Sequence, residues 1–444
     1  MSVDAAHVID RELIGRQMHE FIRILYPVCR SITGAGFRET LARVSDHIPL
    51  QIHEVATGTE VFDWSVPKEW NIRDAYVKNS AGERVIDFRK SNLHVVGYSV
   101  PVRTTLSLAE LKKHLFTLPE RPDWIPYRTS YYQETWGFCL CHRDLLRMKD
   151  DAYEVCIDSS LEPGHLTYGE YYLPGSEEQE ILISCHACHP SLCNDNLSGV
   201  ALATYLAKHL GAQRRRYSYR FLFIPGTIGS ITWLSLHERE VHRIRHGLVA
   251  ACVGDSGRTT YKKSRQGDAE IDRAVVHVLK HSGRDYEIVD FFPYGYDERQ
   301  YGSPGFNLPV GCLMRTPHGR YPQYHTSADD IDFVDPESLA DSFRKYLAVF
   351  QVLENNRTYL NLNPKCEPQL GKRGLYRLMG GDRETGFDQM SLLWVLNLSD
   401  GRHSLLDIAD RAGYELNMIK NAAEALREQG LLRLAGDEST GEKG

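Results

Sequence analysis

The chain has 444 residues, 42% of them hydrophobic and 25% charged, with a formal net charge of −7. That length exceeds what one hydrophobic core usually takes, so two or three domains are expected, and the acidic balance argues against a general nucleic-acid or acidic-membrane surface. No apolar run reaches the ~18 residues of a membrane span, no signal peptide is visible in MSVDAAHVIDREL, and ten scattered cysteines suit a reducing, cytoplasmic setting.

Residues 10–48 read as helical, with Ile14, Met18, Phe21, Ile22 and Leu25 on one face. Pro27 and Gly34 break the pattern, and a second helix is expected over 36–47. From Gln51 to Ser159 the chain alternates in short runs between turn residues, which indicates antiparallel strands, with one helical piece over 106–115. Trp124, Tyr127, Tyr131, Tyr132 and Trp136 form an aromatic tract there. The simpler reading is the core of a small β-rich domain; the sharper one is a platform lining an active-site mouth or sugar subsite.

From Leu166 strands and helices alternate. Strands are expected at 168–173, 181–185, 219–224, 248–253, 286–289 and 310–314, and helices at 197–210, 228–240, 270–282 and 336–354. This alternation means an α/β sandwich with a mostly parallel central sheet. A loop with Pro364 and Pro368 leads to helical stretches at 388–397, 403–411 and 415–428 and a short strand at 431–434, the pattern of a winged helix-turn-helix. Residues 371–444 carry ten Lys/Arg and twelve Asp/Glu, a net charge of −2. A phosphate-binding face needs a basic stripe, so this unit reads as a protein-docking module and DNA binding is disfavoured.

The chemistry concentrates in residues 184–200, SCHACHPSLCNDNLSGV, between an apolar strand and a helix. Carboxyl ends of parallel strands are where ligands bind in open α/β sheets. His186, His189 and Asp195 share this turn, and imidazoles with a carboxylate are ligands that zinc prefers. Asn194-Asp195-Asn196 could also start a helix as a simple cap, which leaves the two histidines unexplained. A structural knot through Cys185, Cys188 and Cys193 lacks a second ligand pair at finger-like spacing. Further polar clusters follow later strands at 225–230, 254–257, 296–301 and 321–330, and parallel strands can bring such ends together.

CRSITG at 29–34, CHPSLCNDNLSG at 188–199, GD at 254–255, DERQYGSPGFNLPVG at 297–311 and YHTSADD at 324–330 occur in this order. The set resembles the co-catalytic zinc aminopeptidases, and within them the bacterial aminopeptidase-like proteins associated with polysaccharide biosynthesis. The resemblance implies a three-layer α/β sandwich formed by residues 1–52 and 159–360, an inserted β-rich domain at 53–158 and a winged helix at 371–438. It implies one or two zinc ions, with Asp195 as bridging carboxylate, His325 as the late histidine ligand and Asp255 as a carboxylate ligand. The first histidine stays open. Strand position favours His186, with Cys188 in place of the aspartate that orients it, and the CHP motif favours His189.

One departure matters. Where the branch has P-E-T-I-G-S, this chain has Pro225-Gly226-Thr227, and Gly226 can be neither general base nor ligand. Glu298 and Glu238 are candidate substitutes. Arg299, Tyr301 and Tyr324 are expected to face the substrate; for Arg299 the alternative is an ion pair with Asp297 or Glu298, and Arg315 has the same two readings. The expectation is a zinc-dependent aminopeptidase-like hydrolase acting on an amide or peptide bond of a small substrate, with a protein partner at the winged helix. The rival is a catalytically impaired binding module.

Overall fold

Two seven-residue runs, Glu180–His186 and Ser218–Ile224, are buried at every position, as strands covered on both faces must be. They pair in parallel, Ile183 opposite Phe221 and His186 opposite Ile224. The computed structural model describes residues 11–375 and 386–436. Residues 1–10, with most of the stretch read for a signal peptide, and 376–385 and 437–438 of the expected winged helix lie outside the described residues.

The eight-stranded sheet runs Gln51–Ala56, His165–Leu173, Ser218–Ile224, Glu180–His186, Ile244–Ala250, Val310–Met314, Thr259–Lys262, Tyr286–Val289. Its four middle strands are mutually parallel. His165–Leu173 and Gln51–Ala56 continue antiparallel on one side, and Thr259–Lys262 turns antiparallel on the other. The sheet is therefore mixed, parallel at its centre. After Glu180–His186 the chain passes through helix Ser198–Gly211 to the neighbour on one side. It then passes through helix Ile228–His237 to the neighbour on the other. The carboxyl end of Glu180–His186 is thus a topological switch point, where a crevice opens.

Three strands depart from the sequence reading. Thr259–Lys262 and Gln51–Ala56 are too short or too polar to register as apolar runs. The strand expected over 248–253 instead spans Ile244–Ala250, and Ala251, Cys252 and Val253 are buried beyond its end. Apolarity marked burial there, not extension.

Within the same compact unit, which takes the described residues up to Ala269 and Asp285–Arg344, a four-stranded antiparallel sheet forms from Arg84–Asp87, Glu69–Lys78, Ala152–Glu162 and Val102–Ser107. The second unit combines Glu270–Arg284 with the described residues from Lys345 onward. Its sheet places Thr358–Asn361 between Asp400–Ser404 and Leu432–Leu434. Helices Gln389–Leu398, Leu405–Ala412 and Leu416–Glu428 pack together beside it. The expected start at 371 therefore falls after the unit's central strand. Among the described residues no helix is long and apolar enough to cross a membrane.

Candidate metal centre and cavity

Asp195 has no solvent exposure, and three imidazoles converge on its carboxylate. His186 Nε2 lies 2.8 Å from Oδ1, His325 Nε2 3.0 Å from Oδ2 and His189 Nδ1 3.4 Å from Oδ2. The ring centroids of His186 and His189 are 4.9 Å apart, and those of His189 and His325 5.1 Å. Burial works to raise the Asp195 carboxyl; His189 and His186 outweigh it and hold it well below the usual carboxylate range. Burial lowers the His325 imidazole.

Each ligand candidate comes from a different constraint on the chain. His186 ends the central strand and His189 follows in the next turn. Buried Arg30 of the CRSITG stretch donates from Nε to the His189 carbonyl at 3.0 Å and also binds the Leu25 carbonyl. Asp329 accepts the backbone N–H groups of Asn194 at 2.6 Å and Asp195 at 3.0 Å. Burial pushes the Asp329 carboxyl up to about 8. The loop bearing His325 is clamped by residues 125–127: Tyr127 N–H donates to the His325 carbonyl at 2.8 Å and Ser327 N–H to the Ile125 carbonyl at 2.8 Å. The Tyr127 ring stands edge-on to both His189 and His325, 5.1 Å from each. Tyr324 stacks on His325 at 3.9 Å and Tyr296 on His186 at 5.0 Å.

Backbone conformations that L-residues rarely adopt gather here. Ser191, Thr227, Cys252 and His325 all have φ between 45° and 68°. For the β-branched Thr227 this is a strong outlier, held by its N–H bond to Asp297 at 2.9 Å.

The donor set suits zinc: imidazole nitrogens and one carboxylate, with the ligand atoms of His186, His189 and Asp195 all within 4.8 Å of one another. No cysteine joins that group among the described residues; the Cys188 sulfur accepts the Gly226 N–H at 3.2 Å, and burial raises its thiol to about 12. So Cys188 binds the Gly226 turn and not His186.

Among the described residues no hydrogen bond or ion pair joins Asp255 to an imidazole. Oδ1 accepts from Gly257 N–H at 2.8 Å and the Thr316 hydroxyl at 2.5 Å. Oδ2 accepts from the Asn194 amide at 3.0 Å and Thr316 N–H at 3.1 Å. Because the strand stops at Ala250, Asp255 sits five residues past its end, where it anchors Asn194.

The cluster opens into a cavity of about 350 Å³ whose lining includes His186, His189, His325, Gly226, Asp297 and Arg299. Trp64, Tyr131, Tyr132 and Tyr324 supply aromatic walls. The aromatic tract therefore divides: Tyr127, Tyr131 and Tyr132 reach the site, while Trp136 stacks on His114 at 3.7 Å. Tyr301, expected to face substrate, is fully buried, with its hydroxyl 2.9 Å from Ser184 Oγ. Arg315 pairs with Asp341 at 3.0 Å. Neither candidate substitute for the missing glutamate lines the cavity. Glu298 is buried against Lys262 at 2.7 Å, and Glu238 is exposed at the end of helix Ile228–His237.

The carboxylate beside Gly226 is Asp297, which the sequence reading did not single out. Asp297 is 1% exposed and accepts from Thr227 N–H and from Ser230 Oγ, the latter at 2.8 Å. Burial raises its carboxyl. Its signal lay in DERQY, where the sequence reading named the adjacent Glu298 as a candidate substitute instead.

A family profile described as Domain of unknown function (DUF4910) matches residues 19–356, and one described as winged helix-turn-helix matches 357–434. The chain is 58% identical over 420 residues, 95% of its length and 96% of the relative's, to a Clostridium acetobutylicum protein provisionally named as a polysaccharide biosynthesis protein with aminopeptidase-like domain. A crystal structure of a provisionally assigned peptidase from Clostridium acetobutylicum superposes with a TM-score of 0.91 at 56% identity, covering 96% of this chain and 97% of that one. A zinc aminopeptidase from Bacillus subtilis shares the fold at TM-score 0.56 and 11% identity, covering 76% of this chain and 94% of that one.

Proposed function

Because this chain belongs to the family described as Domain of unknown function (DUF4910) and has an aminopeptidase-like fold, we propose that it is a zinc-dependent hydrolase of an amide or peptide bond in a small substrate. The observation that carries this reading is the buried Asp195 carboxylate met by three imidazoles that line a cavity. His186, His189, His325 and Asp195 would hold one zinc ion. Zinc at such a site acts as a Lewis acid and lowers the pKa of bound water. A second zinc finds less support, since both Asp255 oxygens are engaged and Gly226 offers no ligand.

The chain's own groups supply the rest. Asp297 is held by Thr227 and Ser230 on the cavity wall beside Gly226, where a carboxylate can accept and return a proton. Burial raises its carboxyl, the direction that favours a general base or acid. Tyr127, Tyr296 and Tyr324 fix the imidazole planes. The aromatic walls narrow the opening and limit water. The name of the Clostridium relative supports an acylated amino sugar or a peptide–sugar conjugate as substrate.

A second reading, a binding module that has lost catalysis, is favoured by Gly226 alone. Turnover separates the two. The purified protein with zinc is assayed on aminoacyl amides and N-acyl amino sugars, with and without chelator. Chelator-sensitive hydrolysis supports the proposal; zinc-loaded protein that turns over none of them favours the binding module.

A further inference from the structure

The DER triplet in DERQYGSPGFNLPVG puts two acids beside Arg299, and the structure commits both elsewhere. Asp297 accepts from Thr227 and Ser230, and Glu298 pairs with Lys262 at 2.7 Å. Among the described residues no hydrogen bond or ion pair engages Arg299, and its Nε is buried without a partner. The side chain is part of the lining of the cavity that the imidazoles share. A guanidinium is always charged, and leaving it partly desolvated without an anion is unfavourable. Among the described residues no Lys and no other Arg lines this cavity.

We propose that Arg299 binds an anionic group on the substrate, so that the cavity takes amides carried on acidic small molecules. The planar fork of Arg matches a carboxylate in bidentate fashion and also takes phosphate oxygens. The shared chemistry is an oxyanion, from an acidic residue of a peptide or from an acidic or phosphorylated amino sugar. A cavity of about 350 Å³ suits a molecule of that size. Trp64 and Tyr132, with ring centroids 5.4 Å apart and both about half exposed, flank its opening with apolar surface. The inference rests on the hydrolase reading only for which bond is cut; anion binding at Arg299 does not require it.

The test is calorimetric titration of the full-length protein, stripped of metal, with two matched pairs. N-acetylglutamate α-amide is set against N-acetylglutamine α-amide, and N-acetylglucosamine 1-phosphate against N-acetylglucosamine. Arg299→Gln and Arg299→Lys are compared with wild type after circular dichroism shows them folded. In at least one pair the anionic member should bind about tenfold to a hundredfold more tightly, as a charge-assisted contact implies. Arg299→Gln should bring that ratio to near unity, and Arg299→Lys, which keeps charge but loses the fork, should fall between. The pair with the larger ratio names the source of the anion. Equal binding within both pairs, a preference that survives in Arg299→Gln, or no binding by any probe at 10 mM (a ceiling set by roughly the weakest affinities worth counting) overturns the proposal. Zinc uptake when the same preparations are reloaded with the metal separates the two readings. An anion preference in a protein that binds no zinc leaves this inference standing and removes the hydrolase; zinc binding with no preference does the reverse.

Discussion

Asp195 is fully buried, and its side chain is met by imidazoles, not by a guanidinium or an ammonium. Its position depends on Asp329, whose carboxylate receives two consecutive backbone N–H groups of the turn. Asp329→Ala should strand both buried donors, at about 1–3 kcal/mol each. It should also weaken zinc affinity although Asp329 touches none of the imidazoles; a chemical unfolding curve and a zinc competition titration check the two effects. Asp297→Asn keeps an acceptor for Thr227 and Ser230 but removes the carboxylate. If Asp297 handles the proton, turnover should fall by ~10²–10⁴ with zinc content unchanged. Equal turnover would return Asp297 to a purely structural role. The motif residues His186, His189, Asp195 and His325 were legible because strand ends converge and their types match zinc. Asp297 was not, because the substitute carboxylate was placed at its neighbour Glu298, and the sequence does not show which of the two faces the cavity. Both His186 and His189 meet Asp195, so the geometry sets neither ring above the other as a ligand.

The parallel centre of the sheet was readable from runs such as Glu180–His186, where every side chain is buried and Ile181, Leu182 and Ile183 are consecutive apolar residues. Short strands with polar sequences, Thr259–Lys262 among them, carry too little pattern. The role of residues 125–127 was unreadable for another reason: their bonds to the His325 loop span about 200 positions of sequence, and nothing local announces them. One element contact gives a pH prediction. Arg38 on helix Ala35–Ser45 pairs with Glu69 on strand Glu69–Lys78, the closer contact 2.5 Å, and Asn71 and His165 N–H also bind that carboxylate. The Arg38 side chain, foremost, holds the Glu69 carboxyl down at about 2, against an ordinary value of 4.5. Its contribution is complete above pH 4.5 and is lost as pH falls toward 2. Glu69→Gln should therefore lower the urea midpoint at pH 6 and reduce the further drop between pH 5 and pH 3; a drop as steep as in wild type would contradict the assignment.

At the scale of the whole chain, the fold class and the winged unit were both legible in the alternation of elements and in a run of short helices closed by a strand. The unit's extent was less so. Its central strand Thr358–Asn361 precedes the prolines that resemble a linker, and its tie to helix Glu270–Lys280 is tertiary. There His277 Nδ1 lies 2.7 Å from Asp410, Arg273 pairs with Asp407, and Leu416 N–H reaches His277 Nε2 at 3.1 Å. With a net charge of −2 over 371–444, the full-length protein should give no salt-dependent shift of duplex DNA at low ionic strength. The central claim is the metal centre, and zinc content per chain, measured on wild type and on folded Asp195→Ala, tests it most directly. About one zinc per wild-type chain is expected, as a single set of imidazole and carboxylate ligands allows, and close to none in the variant. A folded wild-type protein that takes up no zinc, or an Asp195→Ala protein that keeps it all, would contradict the account.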